Sequence, residues 1–366
     1  MVFRFLLVKL AARCNINCSY CYWFRDRSVY DLPKVLAPEV ETKLLERLKT
    51  HCSRHRLASF CVAFHGGEPL LFGKARMRAL CARLAEVERE TGTRIRKSIT
   101  TNGLLLDREW VELLRESGTS VTLSLDGSRA QHDARRVDFR GEGTYERVVA
   151  ALGLLRTAGI EPGILAVCDP LGRPEELLAA FADRLGIREF DVLVPDATHE
   201  DRVPSIRAYF TRLFDLWLDE YSQRGVRIRF LDNLLRASLG RESSTEAIGY
   251  GPISTLTMLS DGSLEPLDVL RIAGGAAARS AYNVLEHELQ EVQHDPAWRE
   301  AHQASLNLCA TCNACEFHDA CGGGYLPSRW SAARRYDNPS VYCEDLKGLF
   351  RHVWQRAAPT LYVARQ

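Results

Sequence analysis

A chain of 366 residues with 48 basic and 47 acidic side chains carries a formal net charge of +1. Near-neutrality removes the electrostatic case for general nucleic-acid or membrane-surface binding, while 46% hydrophobic and 26% charged residues suit a globular protein with a sizeable core. Arg4, Lys9 and Arg13 break the N-terminal apolar run. No segment approaches the ~18 apolar residues of a membrane span, so a cytoplasmic location is expected. Twelve cysteines in so long a chain without an export signal point to metal or redox chemistry rather than a disulfide framework.

In chain order, β-rich runs at 3–10, 58–65, 94–101, 119–126, 161–168 and 188–195 alternate with helical patterns near 39–54, 74–91, 107–117, 143–158 and 173–185. Pro38 suits the opening of the first helix and Asp107 the cap of the third. The alternation predicts an α/β architecture of parallel βαβ units, closed either as a doubly wound sheet or as a partial (β/α) barrel. Residues 201–245 turn helical and charged, forming a connection. Residues 246–366 open with an apolar hairpin that turns at Asp261-Gly262 and, after a helix near 284–303, end in a cysteine-rich tail. The first strand starts almost at Met1, so no separate leader-binding domain is expected before it.

Directly after the first strand, CNINCSYC holds Cys14, Cys18 and Cys21. Four cysteines would close a tetrahedral site, whereas three leave a position open. Soft thiolates suit an iron–sulfur cube with one iron free; zinc, or three buried thiols, is the alternative. Three further motifs follow at strand ends: Gly66-Gly67-Glu68-Pro69, Thr100-Thr101-Asn102-Gly103 and Ser124-Leu125-Asp126-Gly127. Carboxyl ends of parallel strands are where such folds assemble sites. The glycines permit close approach of a ligand, and Glu68 can accept from an ammonium group; a tight turn with a capping carboxylate is the plainer account.

This CxxxCxxC followed by Tyr22, with the ordered strand-end motifs over residues 1–200, resembles the signature of the radical S-adenosylmethionine (SAM) enzymes. The resemblance implies a partial (β/α)6 barrel, a [4Fe–4S] cluster on Cys14, Cys18 and Cys21, and SAM contacts from Tyr20, Gly66, Gly67, Glu68, Asn102, Ser124 and Arg136. It also implies that one electron, from a donor such as flavodoxin or ferredoxin, cleaves SAM to a 5′-deoxyadenosyl radical that takes hydrogen from an inert carbon. The His132-Asp133-Arg136 group resembles a loop of peptide-modifying members; a surface ion-pair loop is an equal account.

Cys312, Cys315, Cys321 and distant Cys343 supply four thiolates, enough to close a zinc site or a cluster. Beside a radical SAM half, they resemble the C-terminal auxiliary-cluster extension called SPASM, which usually binds two further clusters. Here Tyr325 stands where a cysteine usually follows the glycines, and the hairpin over 251–270 has no cysteine. Both losses concern the same cluster, so one auxiliary [4Fe–4S] cluster on those four cysteines is implied, two clusters in all. Cys309 is left over. Cys52, Cys61, Cys81 and Cys168 read as small buried hydrophobes.

CGGGYLPSRWS and DNPSVYC resemble the branch of peptide maturases that make cyclophanes. That implies removal of a β-hydrogen in a ribosomally made precursor peptide and a carbon–carbon bond to a nearby aromatic ring. Thioether formation, epimerisation and formylglycine-type oxidation are the enzymatic alternatives; a non-catalytic zinc scaffold is the alternative of another class. Asp196, just past the sixth strand, is the candidate general base, with Asp191 in reserve. A loop aspartate capping the next helix is the plainer account.

Overall fold

The computed structural model describes residues 2–243, 245–249 and 251–363. The six expected strands form as β1 Phe5–Ala11, β3 Ser59–Gly66, β4 Arg94–Thr101, β5 Thr119–Ser124, β7 Gly163–Val167 and β8 Glu189–Leu193. Shorter strands β2 Asn17–Cys18, β6 Arg136–Val137, β9 Arg227–Ile228, β10 Thr255–Met258 and β11 Leu264–Glu265 join them. Helices α1 Pro38–His55, α2 Lys74–Thr91, α3 Arg108–Glu116 and α4 Tyr145–Thr157 lie within two residues of their expected spans. Pro38 opens α1, and Asp107 caps α3 by accepting from Trp110 N at 2.9 Å. The helix expected near 284–303 is interrupted: a 3₁₀ turn over Leu289–His294 precedes a helix over Pro296–Leu306. Pro296 has no N–H to continue a ladder, so it starts a new helix instead.

Two compact units form, each drawn from separated stretches: Met1–Leu125, Asp133–Gly163 and Ile253–Glu300, then Asp126–His132, Ile164–Pro252 and Ala301–Gln366. In the first unit β1, β3, β4 and β5 run parallel in that order. On the other side of β1, β10 pairs in parallel, from Phe5 opposite Thr255 to Val8 opposite Met258, and β11 returns antiparallel. The hairpin that sequence grouped with the tail therefore extends the sheet of the first unit. Helix α1 seals this sheet with Val40, Leu44, Leu48 and Cys52, spaced four apart on one face.

The edge carries a buried ion cluster where apolar packing would be ordinary. Arg271 pairs with Glu265 and with Asp26, each at 2.5 Å, and its guanidinium lies 5.2 Å from the Trp23 ring centroid. All three charged side chains are buried. The cluster ties β11 to the segment just after Cys21.

In the second unit β7, β8 and β9 run parallel. Helix α7 Cys343–Val363 packs against α5 Arg207–Leu216 and α6 Arg229–Ser238. No helix among the described residues is long and apolar enough to cross a membrane.

Candidate active site

Strand-end motifs of the first unit converge on the loop that follows β1. Gly67 N donates to Ala11 O at 2.8 Å and Glu68 N to Arg13 O at 2.9 Å. A Cβ on Gly66 would lie 2.3 Å from Ala11 O, and one on Gly67 2.3 Å from Arg13 O. Bare backbone is required at both positions, because the chain leading into Cys14 lies directly against them. The glycines, expected to admit a ligand, first of all admit the cysteine loop.

Glu68 is fully buried and joins two motifs. Its Oε1 accepts from Thr101 Oγ1 at 2.7 Å and Leu70 N at 3.0 Å, and its Oε2 from Asn102 N at 2.9 Å. Asn102 Nδ2 in turn donates to Asn15 Oδ1 at 2.7 Å and reaches Cys14 Sγ at 3.7 Å. On the other flank β2 pairs with β6, setting Cys18 opposite Arg136, whose Nη1 lies 3.9 Å from Cys18 Sγ. Tyr20 sits beneath Arg135 and Arg136, at 4.1 and 5.3 Å. Ser124 closes β5 on the same rim. The expected residues Cys14, Glu68 and Asn102 thus form one network, and Tyr20 and Arg136 gather at Cys18.

Burial pushes the Glu68 carboxyl up to about 7, against the three hydrogen bonds that favour its charge. The folded chain then holds a proton that an unfolded glutamate, at 4.5, has already released. This group's contribution to stability is full below about 4.5 and is lost as pH rises toward about 7. Glu68→Gln is expected to flatten the fall in melting temperature of the metal-free chain across that window. Equal slopes for variant and parent would mean that Glu68 is ionised in the fold.

All twelve cysteines are free thiols. Burial, with Glu68, Cys18 and Cys21 close by, pushes Cys14 up to about 12. Such a thiol keeps its proton until a cation takes its place. Three soft donors on one loop fit a cube with one open iron better than a closed tetrahedral ion.

Beside this loop lies a constellation that sequence did not reveal. Lys9 of β1 is fully buried and its ammonium makes three contacts: Asp268 at 2.6 Å, Tyr22 Oη at 3.0 Å and His65 Nδ1 at 3.1 Å. Tyr22 also donates to Asp268. Register explains the placement, since Lys9 stands opposite His65 on adjacent parallel strands and both point to one face. Burial alone would raise Asp268, but the charge of Lys9 and the bonds from Lys9 and Tyr22 hold it down to about 2. Burial, helped by the Lys9 charge, pushes His65 down to about 4. The group is an ionised carboxylate, an ammonium and a neutral imidazole next to Cys21. A lysine and an aspartate inside apolar runs were the available signal.

In the second unit, Cys312, Cys315, Cys321 and Cys343 line one pocket, together with Phe317, Phe350 and Lys347. Burial and neighbouring thiols push Cys312 and Cys321 up to about 12. The four thiols surround one space. That fits a cluster. Cys309 does not line the cavity but is buried against Cys312.

The two candidate bases differ. Asp191 is buried and accepts from Phe230 N at 2.9 Å and from Arg229 at 2.7 Å. Its carboxylate satisfies the first turn of α6. Asp196 follows β8 in an irregular, half-buried segment near Tyr342, whose hydroxyl donates to Pro195 O at 3.1 Å. His132 is buried, its Nδ1 accepting from Asp126 N at 3.1 Å, so it is no surface ion-pair residue.

Residues 8–185 match the model of the radical SAM superfamily. Over 372 residues, 96% of each chain, the protein is 26% identical to a cysteine-type anaerobic sulfatase-maturating enzyme of Clostridium perfringens. It superposes on native anSMEcpe with bound AdoMet with a TM-score of 0.84 at 24% identity, covering 97% of this chain and 98% of the other. The same protein with AdoMet and a Cp18Cys peptide gives 0.83. The fold is the radical SAM α/β fold with its parallel sheet.

Proposed function

Since this chain is a radical SAM enzyme, we propose that it is a maturase that oxidises a peptide or protein side chain at its β-carbon. Formylglycine-type oxidation of a cysteine or serine side chain is the leading form and replaces cyclophane formation as the first reading. The similarity to a sulfatase-maturating enzyme over 96% of both chains carries it.

In this reading Cys14, Cys18 and Cys21 hold a [4Fe–4S] cluster whose open iron takes SAM, with Tyr20, Gly66, Gly67, Glu68, Asn102, Ser124 and Arg136 around it. Cys312, Cys315, Cys321 and Cys343 hold the auxiliary [4Fe–4S] cluster. When bound, these groups supply a 5′-deoxyadenosyl radical that takes the β-hydrogen, and an acceptor for the second electron. Asp268 takes the proton that the oxidised side chain gives up, with Lys9 offsetting charge and Tyr22 orienting the carboxylate. Asp196 is the alternative base. The partners are a peptide substrate and a one-electron donor such as flavodoxin or ferredoxin.

A second reading, cyclophane crosslinking, is favoured by CGGGYLPSRWS and DNPSVYC in the tail. It shares every step up to loss of the β-hydrogen. The test is anaerobic turnover of reconstituted enzyme with SAM, reductant and peptides offering cysteine, serine or aromatic targets. An aldehyde trapped by a hydrazide is the expected product. Loss of two hydrogens with no carbonyl, and a new carbon–carbon bond by NMR, would establish the crosslink instead. Absence of 5′-deoxyadenosine with every peptide would refute both.

A further inference from the structure

We propose that Arg136 is a positioning residue that sets the electron affinity of the cluster held by Cys14, Cys18 and Cys21, by donating to the Cys18 sulfur. This goes beyond the SAM contact implied by resemblance and rests on the radical SAM reading. Arg136 is buried, 8% exposed, and its Nη1 lies 3.9 Å from Cys18 Sγ. The placement is built into the backbone. Cys18 and Arg136 are register partners in the β2–β6 ladder, and Ser19 N donates to Arg135 O at 3.0 Å.

The arginine strand is anchored from its other side as well. Thr144 Oγ1, itself buried, donates to Arg136 O at 2.9 Å, and Asp138 N donates to Glu142 O at 2.9 Å. The guanidinium lies 5.3 Å from the Tyr20 ring centroid, which limits its swing. Backbone pairing, a buried hydroxyl and an aromatic face therefore fix a permanent positive charge at one thiolate. The donors at Cys14 are neutral instead: the amide of Asn102, at 3.7 Å, and the backbone of Ile16.

A cluster on three thiolates becomes more negative by one unit when it takes an electron. A fixed cation with an N–H aimed at a ligand sulfur stabilises that reduced form more than the oxidised one, and so raises the potential. No proton or covalent bond moves. Arginine suits the task because its guanidinium stays charged when buried.

The experiment uses anaerobically reconstituted full-length protein with Arg136→Gln and Arg136→Lys. Midpoint potentials are read by EPR-monitored redox titration and SAM affinity by equilibrium titration. Arg136→Gln is expected to lower the midpoint of the SAM-site cluster when it is read in the absence of SAM. Arg136→Lys, which keeps the charge but loses reach, is expected to fall between the two and guards against misfolding of the glutamine variant. Unchanged potentials in both variants would overturn the proposal, and a collapse of SAM affinity at unchanged potential would make Arg136 a SAM ligand instead. Failure of the parent to show a SAM-perturbed cluster signal would refute the radical SAM reading itself, a separate outcome.

Discussion

Asp268→Asn is expected to lower peptide oxidation by about 10²–10⁴-fold, the usual worth of a positioned general base. Iron content, SAM binding and slow SAM cleavage without peptide turnover should persist. The carboxylate is ionised above about 2, so it contributes no acidic limb to the rate profile near neutrality. Its role comes from position rather than basicity: Lys9 keeps it ionised, and it accepts from Tyr22, which follows Cys21 in the chain. The asparagine leaves the Lys9 ammonium facing a neutral amide, which lowers stability as well as activity. Lys9→Met combined with Asp268→Asn removes the stranded charge; this double variant should regain stability and stay inactive. Near-parental oxidation by Asp268→Asn would transfer the role of base to Asp196.

Arg271→Met is expected to destabilise the first unit by about 3–5 kcal/mol, the cost of breaking a buried ion cluster from one side. For a unit of this size that is a drop in melting temperature of about 10 °C. The reason is accounting of charge: Glu265 and Asp26 remain buried with no cation between them. Burial already raises Glu265 above the ordinary carboxylate range, with Arg271 opposing the rise. Without the arginine it rises further, so the variant should recover part of its stability as pH falls and the carboxyl is protonated. Differential scanning calorimetry of parent and variant at two pH values checks both claims. A variant that melts with the parent at neutral pH would show that the cluster contributes only specificity.

Strands and long helices were legible because their signals are local. β-rich runs alternated with 3.6-period helices, Pro38 and Asp107 marked boundaries, and CxxxCxxC stood at the end of a strand. The glycines were legible as close-approach positions, but not what approaches them, because Ala11 and Arg13 lie more than fifty residues away. Lys9 and Asp268 were missed for a stronger form of the same reason. Each is one charged residue in an apolar run, and only the tertiary fold makes them partners. The β10 strand was read as part of a local hairpin; its parallel partner β1 is separated from it by most of the chain. Pro296 is the local signal that breaks the helical pattern over 284–303.

The pairing of β1 with β10 also constrains the order of events during synthesis. When β1 leaves the ribosome, its neighbour at residues 255–258 has not yet been translated. Lys9 waits for Asp268, and Asp26 waits for Arg271. The nascent cysteine loop therefore has one flank uncovered until residues 255–271 emerge, with a buried-type lysine still hydrated. Closing so long a loop slows this pairing relative to the local β3–β4–β5 ladder. The finished edge of the sheet, and with it the wall beside Cys21, forms only once residues 255–271 have been made, after the local β3–β4–β5 ladder can already pair.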